Sequence, residues 1–201
     1  MLILASASPR RQELLRNAHI PFSVQVSNVA EQHRSGEAPE GCVRRLAKEK
    51  AEAIAAHAGL QDAILAADTE VVLDLATGSP LGKPRDAEDA ARMLRLLSAR
   101  SHFVVTGVCL MWRDAGEAWQ SESAAEITRV EMRTLSEQEI QDYVATAEPM
   151  DKAGAYAIQG VASRWIPRIE GCYFNVVGLP VSLVYRMLRQ HTLHVLKEVR
   201  P

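Results

Sequence analysis

The chain has 201 residues, 47% of them hydrophobic, which is enough apolar side chain to bury a real core and excludes a disordered polymer. Its 23 Lys and Arg against 25 Asp and Glu leave a formal net charge of −2, so no global basic field holds a nucleic-acid polymer, and an anionic partner must be small and met by a local cluster. The three cysteines, Cys42, Cys109 and Cys172, are isolated and odd in number, which fits a reducing compartment, and no window approaches the roughly 18 apolar residues of a membrane span.

The apolar run at residues 2–5 predicts a short strand, and Ser8-Pro9 supplies a helix cap followed by proline at the first helical position, with Leu14 and Leu15 on the buried face. An export signal is excluded because the arginines follow the apolar run and no positive region precedes it. A cytoplasmic protein without a membrane partner is therefore expected. FSVQV at 22–26 alternates like a strand, and apolar residues at Val43, Leu46, Ala47 and Ile54 predict a helix over 39–58.

ILAADTEVVLD at 64–74 reads as a buried strand interrupted by acids, and 84–98 as a helix capped by Asp86. HFVVTGVCLMW at 102–112 is rich in strand formers, and a further strand is expected within 127–132. Ser136 and Glu139 form a capping box that opens a helix running toward Ala147. CYFNVV at 172–177 looks strand-like, and the Gly178-Leu179-Pro180 turn starts a last helix ending near Lys197. Strands and helices alternate, which predicts one α/β domain over 1–201, a sheet with helices packed on it.

Four places break the local rules. At Ser8-Pro9-Arg10-Arg11 the residue that would close a capping box is Arg11 rather than Glu, leaving free N–H groups beside two guanidinium groups; a phosphate cradle competes with a solvated arginine pair. At 100° per residue from Val43, Lys50 falls at about 340°, between Leu46 at about 300° and Ile54 at about 20°. An ammonium in the apolar stripe needs a carboxylate or a ligand anion, unless it snorkels out at the helix edge. Asp68, embedded in a buried strand with Thr69 next to it, is a general base, a metal ligand or a structural ion pair, and an unbroken strand would put Glu70 on its face. Gly82-Lys83 and DKAGAYAIQG at 151–160 set lysines among small residues, either to let backbone approach a ligand or as exposed turns.

Other chemistries lack their signatures. There is no GxSxG elbow, HExxH helix, Walker loop or GxGxxG, and His191 and His194 read as a solvated helix face rather than a zinc site. Cationic groups plus a few carboxylates suit metal-assisted hydrolysis of a polyphosphate ester.

LASASPRRQELL, Glu31-Gln32, RLAKEKA, AADT, GKPRDAEDAARML, HFVVTGV, DKAGAYAIQG and VVGLP occur in the order found in the Maf family, and the sequence resembles its dTTP/UTP pyrophosphatase branch from residue 2 to about residue 188. The resemblance implies a hydrolase that cleaves nucleoside triphosphates between the α- and β-phosphates with a divalent cation, Mg²⁺ or Mn²⁺. It further implies an elongated mixed sheet flanked by helices, with a cleft between two lobes as in inosine triphosphatases, and a homodimer.

Matched residue by residue, Asp68 takes the place of the proton acceptor, and Glu31 that of a cleft carboxylate; both are implied metal ligands. Ser8, Arg11, Lys50 and Lys83 fall where the triphosphate is held, and Asp151 and Lys152 in the block that closes the cleft. Base choice is carried over through Arg10, Thr69 and Gln159; relatives directed at 7-methyl-GTP have Trp, Gln and Glu there. Ala67 and Ala157 stand where glycine is common and are expected to narrow the cleft by a methyl each. A purine-directed sibling enzyme and a nucleotide-binding regulator of septum formation are the alternatives.

Overall fold

The computed structural model describes residues 1–76 and 80–192. The described residues form a six-stranded mixed sheet in the order β2-β1-β3-β4-β5-β6, with helices on both faces. Strands β1 (Leu2–Leu4), β2 (Ser23–Val24) and β3 (Ala63–Val72) run parallel. Strands β4 (Ser101–Arg113), β5 (Trp119–Glu131) and β6 (Arg168–Glu170) add to β3 in antiparallel steps.

The alternation of side chains along β3 sorts the core. Ile64, Ala66, Asp68, Glu70 and Val72 share one face, where α2 (Pro39–Ala55) packs through Val43, Ala47, Ala51 and Ile54. Ala63, Leu65, Ala67, Thr69 and Val71 share the other, and that face carries two apolar clusters that meet at Ile166, Ile169 and Val176. One gathers Leu14 and Leu15 of α1 (Pro9–Asn17) with Leu183, Val184 and Met187 of α6 (Val181–His191) over Leu65 and Ala67. The other gathers Leu94 and Leu97 of α3 (Ala87–Leu97) with Ile140 and Tyr143 of α4 (Glu137–Ala145) over Val71 and Val104. These are the two lobes, and Thr69 lies between them.

Several expected boundaries move. Strand pairing in FSVQV is confined to Ser23 and Val24, and α2 stops at Ala55 instead of 58. The strand expected within 127–132 begins at Trp119, because all 13 of its residues pair with β4 in a long hairpin. CYFNVV is not a strand: Tyr173–Val177 forms a short helix, α5. Asn175 decides this, since its buried amide donates to Val104 O (2.9 Å) and Thr128 Oγ1 (2.9 Å), a pair of bonds that overrides local β propensity. The Asp86 cap and the Ser136–Glu139 capping box form as expected. His194 and the expected helix end at Lys197 lie outside the described residues. No helix among the described residues is long and apolar enough to cross a membrane.

Candidate active site

β1 ends at Leu4, while β3 continues to Val72. On that edge β3 is bonded by Ala5 N–H to Leu65 O and next by Leu81 N–H to Val71 O. Between these points its edge is open, beyond the carboxyl end of parallel β1, the usual place for a ligand in an open sheet. A cavity of about 390 Å³ fills this gap and is reached from both faces of the sheet, which is how the successive residues Asp68 and Thr69 both line it.

On the α2 side, Lys50 Nζ donates to Asp68 Oδ1 and to Glu31 Oε1, each at 2.5 Å. Lys50 and Asp68 are 7% and 6% exposed, so the ammonium is turned inward as its helical phase predicted, and its buried charge is matched. Glu31 is half-exposed at the cavity mouth. Burial pushes its pKa up, but the Lys50 hydrogen bond and the positive charges of Lys50, Lys83 and Arg11 outweigh that and hold it below the usual carboxylate range.

On the other side stand the cations of the first turn of α1 and of two loops. Arg10 Nη1 donates to Asp151 Oδ2 (3.2 Å), and Lys152 Nζ donates to Asp151 Oδ1 (2.6 Å), so Asp151 gathers both. The turn that holds Lys152 is fixed by Gly154, with φ +69°, whose N–H is shared by Leu81 O (2.8 Å) and Gly82 O (3.1 Å), the residues just before Lys83. A Cβ at Gly154 would meet the Val71 side chain at 3.0 Å, so both conformation and space require glycine. Lys83 is exposed at the cavity and has no hydrogen-bond or ion-pair partner among the described residues.

Arg11 behaves differently from its expected part in a phosphate cradle. Its guanidinium donates to Gly178 O (2.9 Å), Ala67 O (2.8 Å), Ser6 Oγ (3.2 Å) and Thr69 Oγ1 (3.0 Å). Burial pulls its pKa down, partly countered by Asp68 and Glu31, and its fork is occupied by protein. It ties α1 to the open edge of β3 and to the turn after α5. Thr69 Oγ1 also shares a hydrogen bond with Thr106 Oγ1 (2.9 Å). Ser8 caps α1 by accepting from Arg11 N at a long 3.5 Å.

All eleven residues singled out from the sequence line this one cavity: Glu31, Lys50, Asp68 and Lys83 with Ser8, Arg10, Arg11, Thr69, Asp151, Lys152 and Gln159. Gln159 is exposed with no hydrogen-bond partner among the described residues. Ala157 lines the cavity, but Ala67 does not narrow it, because its methyl is buried in the core and only its carbonyl serves the site. Sequence reasoning passed over Ser6, Asn175 and Gly178. The signal available for Asn175 was an amide inside an apolar run; Ser6 and Gly178 act through a hydroxyl and a carbonyl that any turn could supply.

The family model for Maf-like proteins matches residues 1–191. The chain belongs to the Maf-like family. It is 52% identical to a dTTP/UTP pyrophosphatase of Koribacter versatilis (strain Ellin345) over 189 residues, 94% of this chain and 93% of that one. It is 49% identical to a dTTP/UTP pyrophosphatase of Syntrophomonas wolfei subsp. wolfei over 196 residues, 96% and 99% of the two chains. Its fold is similar to that of the Staphylococcus aureus Ham1 protein, with a TM-score of 0.52 over 95% of this chain and 99% of that one; at 14% identity this is a likeness of fold alone. In this Maf-like chain each of the eight sequence motifs contributes at least one residue to the lining of the gap beside β3.

Proposed function

We propose that this chain hydrolyses dTTP and UTP to the nucleoside monophosphate and pyrophosphate, and that the cavity beside β3 is where it does so. The reading rests on the names of its relatives and on one observation: a buried lysine joins Asp68 and Glu31 at one wall of a cavity whose other wall presents Arg10, Lys83 and Lys152.

Lys83, without a hydrogen-bond or ion-pair partner among the described residues, and Lys152, whose ammonium is held by Asp151 Oδ1 (2.6 Å) and Glu148 O (2.5 Å), neutralise the triphosphate tail. Asp151 is then released from part of its charge pairing as phosphate oxygens take its place. Asp68, held in one orientation by Lys50, accepts the proton of the water that attacks the α-phosphorus, and pyrophosphate leaves toward the cationic wall. Base choice falls in this reading to Arg10, Thr69 and Gln159, which line the same cavity.

Glu31 Oε1 and Asp68 Oδ1 both accept from Lys50, and the other oxygen of each carboxylate is a hard donor of the kind that fits Mg²⁺, which takes one or two carboxylates and fills its remaining positions with phosphate and water. Such an ion supplies charge neutralisation at the scissile phosphate. Lys50 occupies the same carboxylates and keeps them from repelling each other while no ion is bound.

Incubating the protein with Mg²⁺ and single nucleoside triphosphates tests the proposal. Pyrophosphate should appear fastest with dTTP and UTP, and Asp68→Asn should lower kcat by about 10²–10⁴-fold with little change in KM. Release of orthophosphate alone would reject α,β cleavage.

A further inference from the structure

Beside the catalytic wall lies a group of side chains that the hydrolytic reading does not use. His33 Nδ1 stands 3.4 Å from Cys42 Sγ and 3.3 Å from Glu70 Oε1, and the three donor atoms all lie within 4.8 Å of one another. Glu70 is 5% exposed, and its buried Oε1 has no hydrogen bond of good geometry among the described residues: His33 approaches at ion-pair distance, and the Cys42 thiol lies beside the carboxyl group. A buried carboxylate oxygen left in that state costs about 1–3 kcal/mol or more unless something else engages it. Cys42 is buried in the first turn of α2, and His33 is half-exposed and closes the group on its solvent side.

We propose that His33, Cys42 and Glu70 form a second cation site, for a zinc-class divalent ion, distinct from the Glu31–Asp68 pair. The donor chemistry selects the ion: imidazole, thiolate and one carboxylate suit Zn²⁺ or Co²⁺ and are a poor set for Mg²⁺. The spacing agrees. Zinc–ligand bonds of about 2.0–2.3 Å in a tetrahedron put neighbouring donors about 3.4–3.6 Å apart. The two individual spacings given above are 3.3 and 3.4 Å. Three protein ligands leave a fourth position for water. Arg45, whose Nη2 lies 3.6 Å from Cys42 Sγ, does not oppose the ion with a free charge, because Glu37 and Glu49 hold its guanidinium.

The three ligands come from the same three pieces of chain that build the catalytic wall. His33 is two residues from Glu31, Glu70 is two from Asp68 on the same face of β3, and Cys42 is on the helix of Lys50. An ion here fastens the loop that carries Glu31, which has no strand or helix of its own over residues 25–38, to α2 and β3.

The test is titration of the metal-stripped full-length protein with Co²⁺. One equivalent should bring up visible d–d bands and a sulfur-to-cobalt charge-transfer band; Zn²⁺ should bleach both, and Mg²⁺ should not. Cys42→Ser should remove the charge-transfer band, and His33→Ala and Glu70→Gln should each weaken cobalt binding by roughly 10–100-fold or more. Zn²⁺ should also slow amide exchange at Glu31 in the wild type and not in His33→Ala. A cobalt spectrum without the sulfur band, or wild-type affinity in His33→Ala, a substitution at a half-exposed side chain that the fold does not depend on, overturns the site. Neither readout requires nucleotide turnover, so failure here and failure of the pyrophosphatase reading are separate results.

Discussion

At the scale of single residues, two adjacent arginines have opposite fates. Arg10 makes one partly exposed ion pair with Asp151, while Arg11 makes four hydrogen bonds to protein acceptors from three parts of the chain. Arg11→Ala should therefore cost about 2–4 kcal/mol of stability by stranding the Ala67 carbonyl and leaving Gly178 O with only a long bond from Thr69 Oγ1 (3.4 Å), readable in urea unfolding. Arg10→Ala should leave the urea midpoint nearly unchanged and alter the ranking of nucleotides, readable in a substrate panel. The sequence could place both at the start of α1, but not say which would turn inward, since that depends on Gly178 lying beside α1. Lys50 was legible because helical phase alone put it in the apolar stripe. Its replacement by methionine should destabilise the protein by about 3–5 kcal/mol, because Asp68 would be left buried and unpaired.

At the scale of elements, the seat of α2 is set by a residue that carries no chemistry. Gly107 of β4 lies opposite Asp68 in the ladder, and a Cβ there would stand 2.3 Å from the Val43 carbonyl carbon and oxygen. The helix backbone thus rests directly on the strand, which brings Lys50 down to Asp68. Gly107→Ala must lift α2, and we expect a loss of about 1–3 kcal/mol or more together with reduced turnover, checked by a thermal melt beside a pyrophosphate assay. Periodicity located β3, β4, α2 and α3, whose apolar residues recur at strand or helix spacing in spite of the buried charges at Lys50, Asp68 and Glu70. It missed the first half of β5, where QSESAAE is polar and half-exposed along a hairpin, and it misread α5, which is fixed by the distant partners of Asn175. The site residues were legible as departures from pattern; the gap in the sheet that unites them was not, because it depends on where β1 stops and Leu81 rejoins.

For the whole molecule, acidification acts on stability through a histidine that does not itself line the cavity. His102 is fully buried, bonded through Nε2 to Tyr156 Oη (2.7 Å), and burial lowers its pKa to about 4. Between pH 6.5 and 4 the unfolded chain binds a proton that the folded chain refuses, so stability falls as pH falls through that window. From pH 7 to pH 5 the loss from this group should be about 2 kcal/mol, and His102→Gln should remove that part of the dependence in urea melts at the two pH values.

The two apolar clusters on one side of the sheet meet only through the partly buried Ile166, Ile169 and Val176, and β3, β4 and β5 pass beneath both without interruption. The jaws of the cleft consequently share a single ribbon as their spine, and widening the mouth means bending or twisting that ribbon rather than swinging on a flexible tether. Entry to the cleft is thereby coupled to the curvature of the strand that holds Asp68, the proposed proton acceptor.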